Sequence, residues 1–305
     1  MDKIYDMLVI TGPTATGKTR LAAVVADSLG SEVISADSRQ VYREMNLGTG
    51  KDLDDYIVNG RNIPVHLTDI VDPGYKFNVF EYQKSFLKVY DDMIARKKFP
   101  VVCGGSGMYL DSIVSRYHLM EVPPDEDLRT ELKNKSMNEL VEILKSFKTL
   151  HNKTDIDTKK RAIRAIEIEK YYSGHQDPGF EFPEINSLII GIKLERETRR
   201  RRISERLKLR LERGMIDEVR ALLAKGIAAE TLIYYGLEYK YITFYLTGKM
   251  DFDEMFCRLE VAIHQFAKRQ MTWFRGMERR GIKIYWLDGE LTMEEKVNNI
   301  LSLIK

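Results

Sequence analysis

Gly12-Pro13-Thr14-Ala15-Thr16-Gly17-Lys18-Thr19 is the stretch that decides the fold. It fits G-x-x-x-x-G-K-[ST] at every position, the pattern of a P-loop. Residues 7–10 before it are short, apolar and ended by Gly12-Pro13, which predicts a buried strand. After it, Leu21, Val24, Val25 and Leu29 share one side of a predicted helix that stops at Gly30. In such a strand–loop–helix unit the glycines let backbone amides turn inward, and the helix N-terminus adds partial positive charge for phosphate oxygens. Lys18 supplies a mobile cation to the terminal phosphates, and Thr19 offers a hydroxyl suited to Mg²⁺. The competing explanation is a chance glycine-rich turn, against which the correct context on both sides weighs.

Further strands are expected at residues 32–35, 65–70, 101–103 and 187–193, with a helix at 80–95. Strands alternating with helices imply a P-loop NTPase-like α/β fold, a parallel sheet with helices on both faces. Ligands of such sheets bind beyond the carboxyl ends of the strands. Residues 12–19, 37–42 and 104–109 all follow predicted strands directly, so they should converge on one cleft. From about residue 115 to 186 strand signals vanish and charged helical stretches at 125–147 and 157–172 take over, bordered by Pro123-Pro124 and residues 174–183. The expected organisation is a core of residues 1–114 and 187–305, mainly helical at its end, with a helical insertion at 115–186.

Two motifs beside the P-loop carry chemistry. Asp37, in Asp37-Ser38-Arg39-Gln40-Val41-Tyr42, sits where a carboxylate can take a proton or hydrogen bond from an incoming nucleophile. It is equally suited to cap the next helix. In Gly104-Gly105-Ser106-Gly107-Met108-Tyr109 the glycines permit close ligand approach, and Ser106 offers a hydroxyl. An energy-transducing ATPase usually has an apolar strand ending in an Asp that helps hold Mg²⁺. Here residues 100–103 run into Gly-Gly-Ser instead, which leaves small-molecule kinases and enzymes that bind a diphosphate.

Basic faces come later. Residues 195–213 hold nine Lys/Arg against four Glu. Arg202 and Arg206, four apart, share one helix face; that face is either simply solvated or a phosphate clamp. In 254–280, Leu259, Ile263, Phe266, Trp273 and Met277 should pack inward, while Gln265, Lys268, Thr272, Arg275 and Arg279 form a polar face able to follow a nucleic-acid backbone. Net charge over 305 residues is only +2, so RNA binding would rest on such local patches. Cys103 and Cys257 lack metal-ligand spacing and are expected to be buried, inert thiols. No apolar run approaches the ~20 residues of a membrane span, and the expected compartment is the cytoplasm.

Together the segments resemble the tRNA dimethylallyltransferases, also called tRNA isopentenyltransferases. The resemblance covers nearly the whole chain through GPTATGKT (12–19), DSRQVY (37–42), LGTGK (47–51), GGSGMY (104–109), KRAIRAIEI (160–168), the helical region 196–219 and QFAKRQMTWFR (265–275). It implies transfer of a five-carbon allylic group from dimethylallyl diphosphate to N6 of the adenine just 3′ of the anticodon. The P-loop, Gly12 to Thr19, would then hold the diphosphate, with Lys18, Mg²⁺ at Thr19 and Arg202 or Arg206 stabilising its charge. Asp37 would engage the adenine amine, and Ser106 stands where the family typically has Thr. The adenine would be flipped from the anticodon-loop stack. Contacts to the anticodon stem-loop would come from Asp37, Ser38, Arg39, Gln40, Arg129, Lys160, Arg161, Arg164, Tyr239, Lys240, Gln265, Lys268 and Arg275. The family implies a monomer. The chain departs from the pattern at Glu238, which replaces a glycine of G-L-G-Y-K, and at Ile263-His264, where Thr-Arg usually precedes Gln265. The other functions open to the motifs are an adenine-nucleotide prenyltransferase, a P-loop small-molecule kinase and a non-catalytic RNA binder.

Overall fold

The computed structural model describes residues 5–149, 154–175 and 182–304. The chain divides into two compact units: one runs to Arg116 and resumes at Glu184, and the other spans Tyr117–Pro183. Part of the expected border at 174–183, namely residues 176–181, lies outside the described residues.

The larger unit begins with β1 (Met7–Thr11), α1 (Lys18–Ser28) and β2 (Val33–Ser35). A hairpin of β3 (Ile57–Val58) and β4 (Arg61–Asn62) follows, then β5 (Val65–His66), α2 (Val79–Ala95), β6 (Val101–Gly104) and α3 (Gly107–Val114). Among the described residues the main sheet has the order β5-β2-β6-β1-β7-β8, with β7 at Ser187–Lys193 and β8 at Tyr285–Asp288, and every pairing is parallel. Parallel strands need both faces covered, and β1 is buried at all five positions. Leu8 and Ile10 join Leu21, Ala22 and Val25 of α1 and Val297 and Ile300 of the C-terminal helix in one apolar cluster. The alternation along the strand sends Met7 and Val9 to the opposite face.

Several expectations shift in detail. The strand expected at 65–70 is only Val65–His66, because Leu67 and Asp69 take φ of 61° and 54°, which no strand accommodates. The β3–β4 hairpin turns on Asn59 and Gly60, with φ of 50° and 75°; an Asn-Gly pair is the usual signature of such a turn. Strand β8 interrupts a region expected to be mainly helical. It adds to the sheet edge through β7, pairing Ile190 with Tyr285 and Ile192 with Leu287.

The smaller unit is helical: α4 (Glu126–Lys133), α5 (Met137–Phe147) and α6 (Lys159–Gly174). The single helix expected at 125–147 is two. Ser136 starts the second with a capping box, accepting from the Glu139 amide while the Glu139 carboxylate accepts from the Ser136 amide. Leu128, Leu132, Leu140, Leu144, Ala162 and Ile166 make this unit's own core.

Back in the larger unit, α7 (Arg196–Glu212), α8 (Met215–Ala224), α9 (Ala229–Tyr235), α10 (Leu237–Leu246) and α11 (Phe252–Arg279) follow β7, and α12 (Met293–Ile304) ends the chain. On α11 the buried stripe is Met255, Leu259, Ile263, Ala267, Gln270, Phe274 and Met277. Phe266, expected inside, is 38% exposed beside this stripe, with the Arg269 guanidinium over its ring. Cys257, expected buried, is exposed because it sits about 200° around the helix from Met255 and Leu259; Cys103 is buried as expected. Arg116 and Glu184, where the larger unit's chain breaks off and resumes, form an ion pair at 3.5 Å. No helix among the described residues is long and apolar enough to cross a membrane.

Candidate active site

Strands β1, β6 and β2 lie side by side, so the loops leaving their carboxyl ends meet. These loops carry the P-loop, Gly105-Ser106 and Asp37-Ser38. The P-loop holds its form through its own bonds. The Thr16 hydroxyl donates to the Pro13 carbonyl at 2.9 Å, and Thr11 donates to Gly104 at 3.0 Å, tying β1 to β6. Ala15 is left-handed, with φ 64°; such a turn lets successive amides point into the loop as an anion nest.

Gln270 of α11 fastens the P-loop to the β6 loop. Its Oε1 accepts from the Thr14 amide at 2.9 Å, and its Nε2 donates to the Gly105 carbonyl at 2.8 Å. The approach is close enough that a Cβ on Gly105 would sit 2.5 Å from Nε2, and one on Gly107 would strike the Trp273 ring. The Trp273 indole donates to Asp111 of α3 at 3.1 Å, and Arg280 pairs with the same fully buried carboxylate. Polar anchors therefore hold α11 against both loops.

Cations gather on the P-loop. The Arg206 guanidinium bonds the Thr14 hydroxyl. One turn on, Arg210 is buried, abuts Gly50 and pairs with Asp52 at 2.7 Å. Burial pushes the Lys18 ammonium below its ordinary pKa; Arg206 and Arg210 add to this, while Asp37 opposes it. Burial, then the charge of Arg210, brings Arg206 down to about 10. Cations packed this closely favour an anion between them. Arg202 shares the helix face but lies a turn earlier, within electrostatic range of Lys296.

Asp37 accepts from the Arg39 amide at 2.9 Å through Oδ1, so it does cap its own turn, and it also lies within electrostatic range of Lys18. Ser106 Oγ accepts from the Ser38 amide at 2.9 Å and stands 3.2 Å from the Ser38 hydroxyl. The two loops are thus locked together beside the P-loop.

Thr19 is in hydrogen-bonding contact with the Cys103 thiol, which burial pushes up to about 12. Among the described residues no group of three or more His, Cys, Asp or Glu could hold a metal ion. Thr19 fits Mg²⁺ only in the usual manner of that ion, with most ligands coming from phosphate oxygens and water.

The remaining candidates divide. Arg39 lies over the Tyr234 ring at 5.8 Å, and Lys240 over Tyr241 at 5.3 Å. Gln265, Lys268 and Arg275 are exposed on α11. Gln40 is buried, accepting from Ser35 at 3.2 Å and donating to Gly50 at 3.1 Å. Tyr239 is 1% exposed and donates to Glu218 at 2.6 Å. Both side chains are committed to the protein interior instead of being presented to a ligand. That Glu218 also accepts from the amides of Asn46, Leu47 and Gly48 at 2.8, 2.8 and 3.0 Å. In the smaller unit, Arg129 and Arg164 both pair with the buried Glu167. Burial raises that carboxyl, but the Asp125 amide and the two guanidinium groups outweigh it and leave its pKa low. Arg161 pairs with Asp157 at 2.9 Å, and Lys160 is exposed.

Sequence reasoning missed Gln270, Arg210 and Asp111. Arg210 continues the Arg202–Arg206 spacing by another four residues, a signal present in the sequence. Gln270 interrupts an apolar stripe with a single amide, which was its only sign.

Residues 40–277 match the sequence pattern of the family described as IPP transferase. The chain belongs to that family. Among IPP transferase relatives, the tRNA dimethylallyltransferase 2 of Phocaeicola vulgatus is 61% identical over 98% of each chain. Its namesake from Bacteroides fragilis is 60% identical over 99% of this chain and 98% of its own. The crystal structure of a tRNA isopentenylpyrophosphate transferase from Bacillus halodurans aligns with TM-score 0.71 and 30% identity, covering 98% of this chain and 95% of that one. As expected of an IPP transferase, the fold is mixed α/β around a parallel sheet.

Proposed function

We propose that this IPP transferase moves the dimethylallyl group of dimethylallyl diphosphate to N6 of the adenosine 3′-adjacent to the anticodon in tRNA. The observation that carries the proposal is the meeting of the P-loop, with its Lys18 and with Arg206 of α7 bonded to it, with the Asp37 and Ser106 loops. The names of relatives more than half identical over nearly the full length add support.

In this mechanism the P-loop amides, Lys18 and Arg206 bind the diphosphate, and Arg210 reinforces their field. Arg202, a turn before Arg206 on α7, is proposed to meet the diphosphate only once the ligand is bound. Thr19 would offer its hydroxyl to Mg²⁺, which when bound would supply charge neutralisation for the leaving group. The carbon–oxygen bond to the diphosphate breaks as the N6–carbon bond forms, and the electron pair leaves with pyrophosphate. The amine's surplus proton passes to Asp37, which the Arg39 amide holds in place. Ser106 fixes the Asp37-Ser38 turn and keeps a hydroxyl at the reacting centre. Arg39, Lys240, Gln265, Lys268 and Arg275 bear on the RNA from the larger unit. Lys160 and Arg161 serve from the smaller one, and Arg129 and Arg164 hold its helices through Glu167. The enzyme works as a monomer in the cytoplasm, where its tRNA substrate is.

Incubation of unmodified tRNA with the enzyme, Mg²⁺ and dimethylallyl diphosphate, followed by nucleoside mass spectrometry, tests the proposal. The expected product is N6-dimethylallyladenosine at the position after the anticodon. Unmodified tRNA, with phosphate transferred from ATP to a small acceptor, would overturn it in favour of a kinase.

A further inference from the structure

A small cavity of about 10 Å³, room for about one water, is lined by Ile203, Arg206, Leu207, Arg210, Met215, Glu238 and Ile263, and Arg206 links it to the P-loop through Thr14. Two of its walls are the guanidinium groups already placed at the anion site, and the only acid among them is Glu238, in the first turn of α10. Arg210 has its own carboxylate partner in Asp52, whereas Arg206 has no ion pair among the described residues and bonds only the Thr14 hydroxyl. We propose that Glu238 is a positioning residue that counterbalances Arg206 and Arg210 in the empty site and loosens their hold on pyrophosphate, so that the product leaves.

The proposal rests on the assignment of the diphosphate to the P-loop. Two cations and a nest of amides grip a diphosphate strongly, and an enzyme that holds its product as firmly as its transition state turns over slowly. A fixed negative charge facing both guanidinium groups lowers the net positive field that any bound anion feels. Sharing the wall of a water-sized cavity with both guanidinium groups, it adds this opposition from the protein side.

The groups facing Glu238 are consistent with that role. From α7 come Arg206 and Arg210, and from the loop after β2 come Asp37 and Arg39. Arg39 Nε and Glu238 Oε2 lie 3.8 and 4.0 Å from where a Gly236 side chain would begin. Asp52 and Asp55 act on Arg206 from the segment before β3. Burial raises the Glu238 carboxyl; its own backbone amide and the two arginines of α7 pull it back, and Asp37 raises it again. The opposing charge therefore fades on acidification earlier than that of an ordinary glutamate.

Calorimetric titration of magnesium pyrophosphate into the wild type, Glu238→Gln and Glu238→Ala tests this, with Lys18→Ala and Arg206→Ala alongside and thermal melts to verify folding. Both Glu238 variants should bind pyrophosphate about tenfold more tightly near neutral pH. Their kcat and KM for dimethylallyl diphosphate should fall together. The ratio of wild-type to Glu238→Gln dissociation constants, from which the ligand's own protonation cancels, should shrink toward one as pH is lowered. Unchanged affinity in folded Glu238 variants, while Lys18→Ala and Arg206→Ala weaken binding, would overturn the role of Glu238 alone. Unchanged affinity in Lys18→Ala and Arg206→Ala would remove the anion site itself, and this inference with it.

Discussion

Gln270 and Thr14, separated by 256 positions in sequence, meet in a 2.9 Å hydrogen bond that joins α11 to the P-loop. The same amide reaches the Gly105 carbonyl. Replacing Gln270 with Ala frees the Thr14 amide and the Gly105 carbonyl at once, in a place with little water. Stability should drop by about 1–3 kcal/mol, and the affinity for dimethylallyl diphosphate should weaken several-fold as the loop relaxes. Thermal melts and calorimetry on Gln270→Ala read both effects; an unchanged diphosphate affinity would separate α11 from the anion site.

Lys18 has no carboxylate within ion-pair distance among the described residues, so its charge is available to a ligand. Lys18→Ala should weaken dimethylallyl diphosphate binding by about a hundredfold, in keeping with 1.5–3 kcal/mol for a hydrogen bond to a charged group. The fold should persist, because among the described residues the ammonium donates one hydrogen bond, to the Pro13 carbonyl at 3.5 Å. Calorimetry beside circular dichroism distinguishes the two.

Asp37→Asn retains an oxygen to accept from the Arg39 amide, so the turn should survive. What it loses is the proton acceptor of the proposed reaction. Prenyl transfer to tRNA should slow by at least about a hundredfold, the ordinary worth of a proton acceptor, with diphosphate affinity nearly unaltered. A radiolabelled transfer assay settles it, and near-normal turnover would restrict Asp37 to capping.

How much of this was legible beforehand follows from where information sits along the chain. The P-loop, Asp37 and Ser106 each occupy a short motif just past a strand, and parallel topology alone brings such positions together. Gln270 and Asp111 act across 165 and 162 positions respectively, to Gly105 and to Trp273. Nothing in a helical stripe states which distant backbone an amide will meet. Leu67 and Asp69 broke a predicted strand through their backbone angles, which side-chain type reveals poorly. Burial of Tyr239 against Glu218 was hidden for the same reason: a Tyr beside a Lys reads as a surface pair until the partner helix is in place.

Asp111 is a fully buried carboxylate joined to Trp273, Arg280 and Ser115. Asp111→Ala should cost about 3 kcal/mol, since it strands several donors together. Urea unfolding would reveal it as a lower midpoint with a similar slope.

Glu32 is held down to about 2, first by the Arg96 hydrogen bond and against burial, with His66 assisting. A carboxyl whose folded pKa lies below its ordinary value stabilises the protein above that ordinary value. The contribution is lost as pH falls from about 4.5 toward 2. Glu32→Gln should therefore lower the melting temperature at neutral pH and flatten its decline across that acid window. Parallel melts of both proteins from neutral to acid pH would expose an unchanged slope if Glu32 were idle.

The 3.5 Å contact of Arg116 with Glu184 has an architectural meaning. The polypeptide departs from and rejoins the sheet-bearing body at a single doorway. Bridging that doorway takes only a short connector, and lengthening a surface connector is thermodynamically mild. The spot is a natural graft site: helical cassettes of different length or charge can be exchanged there without rethreading the strands.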